Sequence, residues 1–174
     1  MQKAATMNVT TANDREIRIT RLFDAPRNAV WKAMSRPELL KRWLLGPPGW
    51  EMVQCEDDQR VGGGFLWAWR GQDGQQFSMH GIYREVVPGQ RVVRTEIFDF
   101  PGCMPPMAEQ LATLELADDG VRGTRLTLTV AFPSKQARDA AVASGMENGV
   151  SAGHDRLAVI LAESEVAPAT GGAR

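Results

Sequence analysis

The sequence predicts an α+β domain in which one antiparallel sheet is covered by a long C-terminal helix. Apolar and polar side chains alternate in "REIRITRLF" and again in "FLWAWRG", which is the period of a half-buried strand. Similar runs lie between turn-forming stretches such as "QDGQ", "PGQ" and "DDGVRG", and tight turns favour antiparallel neighbours. Met146, Val150, Leu157 and Leu161 then form one apolar stripe at helical spacing. Since a sheet needs a cover for its apolar face, we expect the aromatic side of "FLWAWRG" to face this final helix.

Two short helices are predicted directly after the first strand. Val30 and Met34 recur at helical spacing after "DAP", where Pro26 suits the first turn of a helix. Pro37 opens a second helix, "PELLKRW", which ends at Trp43. The predicted order is therefore one strand, two helices, six further strands and the C-terminal helical region.

The six further strands are expected to alternate with tight turns. They are predicted at residues 51–56, 65–70, 77–87, 91–98, 112–116 and 124–132. Ser134 is a candidate N-cap for a helix that Gly145 ends, and the longer helix follows. One domain is predicted over residues 14–165, and the polar segments 1–13 and 166–174 are expected to be disordered. The proline-rich stretch "DFPGCMPPMAEQ" is expected to be a loop.

Composition excludes several classes of partner. The 20 basic and 21 acidic residues form no basic stripe, which argues against nucleic acid and membrane surfaces as partners. Cys55 and Cys103 occur without metal-site spacing and are expected to be free thiols in a reducing compartment. The N-terminus has no apolar signal core, and no run of about 18 apolar residues occurs. We therefore expect a cytoplasmic protein, with a homodimer left open.

Three stretches together resemble a known family. These are "FDAPRNAVWKAMSRPELLKRW", "GIYREVVPGQRVV" and "GTRLTLTVAFPSKQARDAAVASGMENGVSAGHDRLAVIL". In this order they are similar to the START-related SRPBCC superfamily, in the branch named after the activator of the heat-shock-protein-ninety ATPase. The resemblance covers about residues 15–162.

The resemblance implies a helix-grip fold, similar to the birch-pollen allergen. In such a fold a curved antiparallel sheet, here of about seven strands, wraps around the long C-terminal helix and encloses an interior cavity. Cyclases and aromatase-like enzymes belong to the same superfamily. The branch's name implies a chaperone or client protein as a possible partner.

The aromatic side chains on one face of "FLWAWRG" have two interpretations. Phe65, Trp67 and Trp69 either fill a solid core or form the floor of a ligand cavity. Trp43 either gates the rim of that cavity or packs the second helix against the sheet. Met104 and Met107 flank two prolines and belong either to an adaptable lid or to a loop packed on its own domain.

Polar candidates are few. His154 lies on the stripe of the last helix, where it either meets a ligand or contacts water at the helix edge. Tyr83 is a second group that could fix a polar part of a ligand. The complete set of predicted ligand contacts is Trp43, Trp67, Trp69, Tyr83, Phe98, Met104, Met107, Met146, Val150 and His154.

Other charged groups are predicted to be solvated. Arg94 and Glu96 share a strand face and are expected at the surface, as are Glu56, Asp57 and Asp58 in a turn. No catalytic constellation, metal site or cofactor motif stands out.

Three functions follow as hypotheses. The first is non-catalytic binding of a small, mostly apolar molecule between the sheet and the final helix. The second is a cavity enzyme of the cyclase or aromatase type, with His154 or Tyr83 as acid or base. The third is a protein-interaction module, which requires an exposed apolar patch outside the cavity.

Overall fold

The computed structural model describes residues 7–101 and 107–166 of the 174-residue chain. From the second strand onward, strands and helices follow one another as predicted: a strand, two short helices, a run of strands and a long last helix. The elements are β1 (Asn8–Asn13), β2 (Glu16–Phe23), α1 (Arg27–Ser35), α2 (Pro37–Trp43), β3 (Trp50–Asp57), β4 (Gly64–Gly71), β5 (Gln76–Val87), β6 (Arg91–Asp99), β7 (Gln110–Asp119), β8 (Gly123–Ala131), α3 (Lys135–Ala143) and α4 (Met146–Val166).

All strands form one open antiparallel sheet in the order β1-β2-β8-β7-β6-β5-β4-β3. The α+β class and its agreement with a helix-grip arrangement are thereby confirmed. Within the described residues the sheet has eight strands rather than about seven. The additional strand, β1, lies in the segment for which we predicted disorder. It is a polar edge strand that pairs with β2, Val9 opposite Ile19, so backbone hydrogen bonding places it without an apolar pattern.

The helix boundaries have local causes. Pro37 occupies the first turn of α2, where its missing N–H costs no helical hydrogen bond. Ser134 caps α3 by accepting a hydrogen bond from the Ala137 N–H at 3.1 Å. Gly145 has φ +74°, a left-handed conformation that favours glycine and separates α3 from α4.

The face of the sheet that packs against the helices is called the inner face. One row of paired residues crosses five strands on this face, from Ile17 through Val130, Ala112 and Arg94 to Tyr83. This row joins the part of the sheet beside β1 to the aromatic part beside β3.

The core consists of two clusters. The main core joins α1, α2 and the C-terminal half of α4 to the aromatic residues of β4 and β5. The second cluster joins Ile17, Ile19 and Val130 to Phe132 and Ala141, with the N-terminal half of α4 against it. No helix in the described part of the chain is both long and apolar enough to span a membrane.

Candidate functional site

The apolar stripe of α4 is buried unevenly along its length. Leu157 is 0% exposed and Leu161 is also buried in the main core. Met146 and Val150 lie on the same stripe but are only half-buried against the second cluster. A Cβ added at Gly149, between them, would meet no atom within 4 Å. The N-terminal half of α4 is therefore covered less completely by the sheet than the C-terminal half.

The predicted aromatic contacts are brought together in the main core. Trp43, Trp67, Trp69 and Tyr83 are all buried there. Each indole N–H is hydrogen bonded inside the protein: Trp43 Nε1 donates to the Ala33 carbonyl at 2.9 Å and Trp69 Nε1 to the Leu44 carbonyl at 2.7 Å. Trp67 Nε1 donates to Asp57 Oδ2 at 3.1 Å. These bonds fix the three rings in one orientation within the main core.

The remaining apolar contacts of the prediction are dispersed. Phe98 is half-buried, pairs with Met79 across β5 and β6, and stacks on Phe100 at 6.3 Å between ring centroids. Met107 is exposed. Met104 lies outside the described residues.

A charged cluster that we predicted to be at the surface lies on the inner face. Glu96 is only 5% exposed. Its Oε1 accepts hydrogen bonds from Arg94 Nε at 2.9 Å and Nη2 at 2.8 Å, and its Oε2 accepts one from Gln110 Nε2 at 2.9 Å. Arg94, Glu96 and Gln110 are called the inner polar cluster. The sequence did contain a signal for this burial. Alternation within β6 puts Arg94 and Glu96 on the same face as Val92 and Phe98.

Aromatic rings surround the guanidinium of this cluster. Arg94 Cζ lies 4.9 Å from the centroid of the Trp67 ring and 5.4 Å from that of Phe65, within cation–π distance. Burial by itself would lower the pKa of the Arg94 guanidinium. Glu96 and the neighbouring Tyr83 and Asp57 outweigh this effect and raise the pKa above its ordinary value. Arg94 therefore stays charged.

Asp57 joins the aromatic residues to this cluster, although we predicted it to be solvated in a turn. The Tyr83 hydroxyl donates to Asp57 Oδ1 at 2.8 Å, and Trp67 Nε1 donates to the other oxygen. Burial raises the pKa of the Asp57 carboxyl, against the effects of these hydrogen bonds and of Arg94. Burial also raises the pKa of Tyr83, which is therefore a neutral hydrogen-bond donor.

His154 is buried, only 4% exposed, and the interpretation of a water-contacting residue at the helix edge is wrong. Its ring lies 5.8 Å from that of Phe23 and 6.4 Å from that of Trp43, between centroids. Nδ1 has no hydrogen-bond partner in the structure. Burial and the nearby Arg21, against a smaller opposite effect of Asp155, lower the pKa of His154 to about 4. The imidazole is therefore neutral at pH 7.

A groove on the opposite face of the sheet has a volume of about 470 Å³ and is open to solvent. Leu66, His80 and Ile97 pair across β4, β5 and β6 along its floor. Glu56 and Glu109 supply carboxylates to its lining. Among the described residues, no three His, Cys, Asp or Glu side chains are grouped so that they could hold a metal ion.

Comparison with solved structures extends the resemblance over most of the chain. A protein of Rhodobacter sphaeroides is 28% identical, with a TM-score of 0.83, and the match covers 91% of this chain and 99% of that one. A protein of Chromobacterium violaceum is 27% identical, with a TM-score of 0.72 and coverage of 86% and 98%. A protein of Nitrosomonas europaea shares the fold at 24% identity, with a TM-score of 0.77 and coverage of 90% and 100%.

Comparison with curated proteins gave no match. The family model that matches residues 24–162 is described as activator of Hsp90 ATPase homolog 1-like protein, and its match takes in α1, α2, β3–β8, α3 and most of α4. The chain therefore belongs to the activator of Hsp90 ATPase homolog 1-like family, within the SRPBCC superfamily.

Proposed function

We propose that this protein binds a small, mostly apolar molecule without transforming it, between the N-terminal half of α4 and the inner face of the sheet. The observation that carries the proposal is the half-burial of Met146 and Val150 at the N-terminal end of a stripe whose other end is buried. Water would otherwise remain against apolar side chains that a ligand can cover at a gain of about 25 cal/mol per Å².

The surroundings of this space support an apolar ligand with one polar end. Val130 and Ile17 lie below the N-terminal half of α4, and Phe98 is half-buried at the far side of the same face. The inner polar cluster lies between these two apolar regions. Ligand sites in proteins commonly have this composition, in which apolar walls supply affinity and a few polar groups fix the orientation.

A tryptophan at position 150 tests the placement of the ligand. We expect at least one of 4-butylphenol, 4-butylbenzoate and butylbenzene to bind the unchanged protein at one site per chain. Val150→Trp would fill the space and weaken that binding at least tenfold, about 1.4 kcal/mol. Isothermal titration calorimetry at pH 7.5 measures both affinities.

The matched control uses the same substitution on the other side of α4. Val159 is 59% exposed, so Val159→Trp should leave binding unchanged. Equal weakening by the two substitutions, or no binding of any of the three compounds by the unchanged protein, would contradict the proposed function.

Protein interaction is the second candidate, and the groove on the outer face favours it. Its apolar floor, flanked by Glu56 and Glu109, has the composition of a site for a partner with an apolar and basic surface. This candidate predicts that a partner protein with such a surface shifts the NMR amide signals of Leu66 and Ile82, which line the groove. Signals of these two residues that stay unchanged would contradict it.

A further inference from the structure

One row of residues crosses the groove on the outer face of the sheet, which is called the outer groove. Glu56 pairs with Leu66 across β3 and β4, and Leu66 pairs with His80 across β4 and β5. His80 pairs in turn with Ile97 of β6. Glu109 completes the row, because continuing the antiparallel register of β6 and β7 by one residue brings it opposite Ile97. All five residues line the outer groove.

The row is acidic at both ends and apolar on each side of a central imidazole. Glu56 and Glu109 are exposed, and the ion pairs in the described part of the chain include neither of them. His80 is exposed at the centre, with Leu66 and Ile97 half-buried on either side. The described lining of the groove contains no Lys or Arg. The outer groove therefore offers two carboxylates, without cationic partners in the lining, to a cation.

The distance between the two carboxylates restricts which cation can use both. Glu56 and Glu109 are four strand intervals apart, about 19 Å between Cα atoms at ordinary strand spacing. Glu56 Oε1 accepts a hydrogen bond from the Gln54 amide at 2.7 Å, a neutral partner that leaves the charge unbalanced. A ligand with one positive group reaches one carboxylate only. The two act as one site for an extended molecule that carries a positive group at each end.

We propose that the outer groove binds a linear aliphatic polyamine, with one terminal ammonium on Glu56 and the other on Glu109. Alkyl segments of the polyamine cover Leu66 and Ile97, whose burial favours binding. An amine in the middle of the chain donates a hydrogen bond to His80, since a neutral imidazole has one acceptor nitrogen. The order of groups along the polyamine thus complements the order of side chains along the row. This site lies on the opposite face from the ligand of the proposed function, so either proposal can fail without the other.

Spermine is the probe, because it is a linear chain with four amine nitrogens. Tris(3-aminopropyl)amine also has four nitrogens but arranges them around a centre, and 1,4-diaminobutane is too short to reach both carboxylates. We expect isothermal titration calorimetry at pH 8 to show spermine binding at one site per chain, at least tenfold more tightly than either control compound. The titration is done at low ionic strength, since salt screens interactions between exposed charges.

Matched glutamine substitutions test the two carboxylates. Glu56→Gln and Glu109→Gln should each weaken spermine binding about threefold, as expected for the loss of one exposed ion pair. The double variant should weaken it about tenfold. Glu38→Gln is the control, because Glu38 is an exposed residue of α2 outside the described lining of the groove, and it should leave binding unchanged. All three side chains are exposed, so the substitutions should preserve the fold.

Three results would overturn the polyamine proposal. Equal binding of spermine and tris(3-aminopropyl)amine would show that charge attracts both compounds without a linear site. Equal weakening by Glu38→Gln and by the two groove substitutions would show the same for the position of the carboxylates. If spermine does not bind, the outer groove has no polyamine site, and a partner protein remains the candidate for this surface.

Discussion

Replacing Arg94 alone by methionine is expected to lower the free energy of unfolding by roughly 3–5 kcal/mol. The substitution leaves the Glu96 carboxylate buried, and among residues 7–101 and 107–166 its remaining hydrogen-bond donor is Gln110 Nε2. It also removes the guanidinium from the faces of Trp67 and Phe65. Urea denaturation followed by circular dichroism measures the change. The slope of the free energy of unfolding against urea concentration should be the same in the variant and in the unchanged protein.

The double variant Arg94→Met with Glu96→Met is the control for this prediction. Because both charges are gone, its stability should lie within about 2 kcal/mol of the unchanged protein, well above that of the single variant. Equal losses in the two variants would show that packing around Arg94, rather than the unpaired carboxylate, determines the cost. A single variant as stable as the unchanged protein would contradict the burial of this ion pair.

Acidification is expected to destabilise the protein through His154 by roughly 3 kcal/mol in total. The pKa of His154 is about 4 in the folded protein, against 6.5 for the exposed side chain. Between these values the unfolded chain binds a proton that the folded protein does not. The contribution of neutral His154 to the free energy of unfolding is therefore complete above about pH 6.5 and is lost as the pH falls towards 4. Arg21 adds to the effect, because a charged imidazole would lie near its guanidinium.

The measurement is the free energy of unfolding at several pH values from 7.5 to 4.5, in the unchanged protein and in His154→Gln. Glutamine is neutral throughout this range, so His154→Gln should lose less stability on acidification than the unchanged protein does. The difference between the two losses should be most of the roughly 3 kcal/mol given above. Since Nδ1 has no partner, His154→Gln breaks no hydrogen bond of that atom. Parallel curves for the two proteins would show that His154 does not titrate below its ordinary range.

The sheet and the helices could be predicted because they follow repeating patterns. The alternation in β4 and β5 and the glycine turns between strands set boundaries that agree with the structure within a few residues. β1 could not be found in this way, because backbone pairing at an edge leaves no apolar period in "NVTTAN". The stripe of α4 was visible in Met146, Val150 and Leu157, but a period does not reveal how deeply each turn is buried.

The candidate site was predictable only in its apolar half. Trp67 and Trp69 were placed on the inner face by alternation alone. Arg94 and Glu96 were assigned to solvent because charged residues are seldom buried, and only the partners supplied by other strands make their burial tolerable. Gln110 was missed because it ends the proline-rich stretch that was expected to be a loop, whereas β7 begins at this residue. Such pairings depend on strand order, which a local reading of the sequence does not provide.

The central claim is that a small apolar molecule binds under the N-terminal half of α4, on the inner face. A two-dimensional ¹H–¹⁵N NMR titration of the assigned protein with 4-butylphenol tests it most directly. We predict saturable shifts of the amide signals of Gly149, Val150 and Gln110, with those of Leu66 and Ile82 in the outer groove unchanged. Shifts confined to the outer groove, or no saturable shifts in α4 and the inner polar cluster, would contradict the claim.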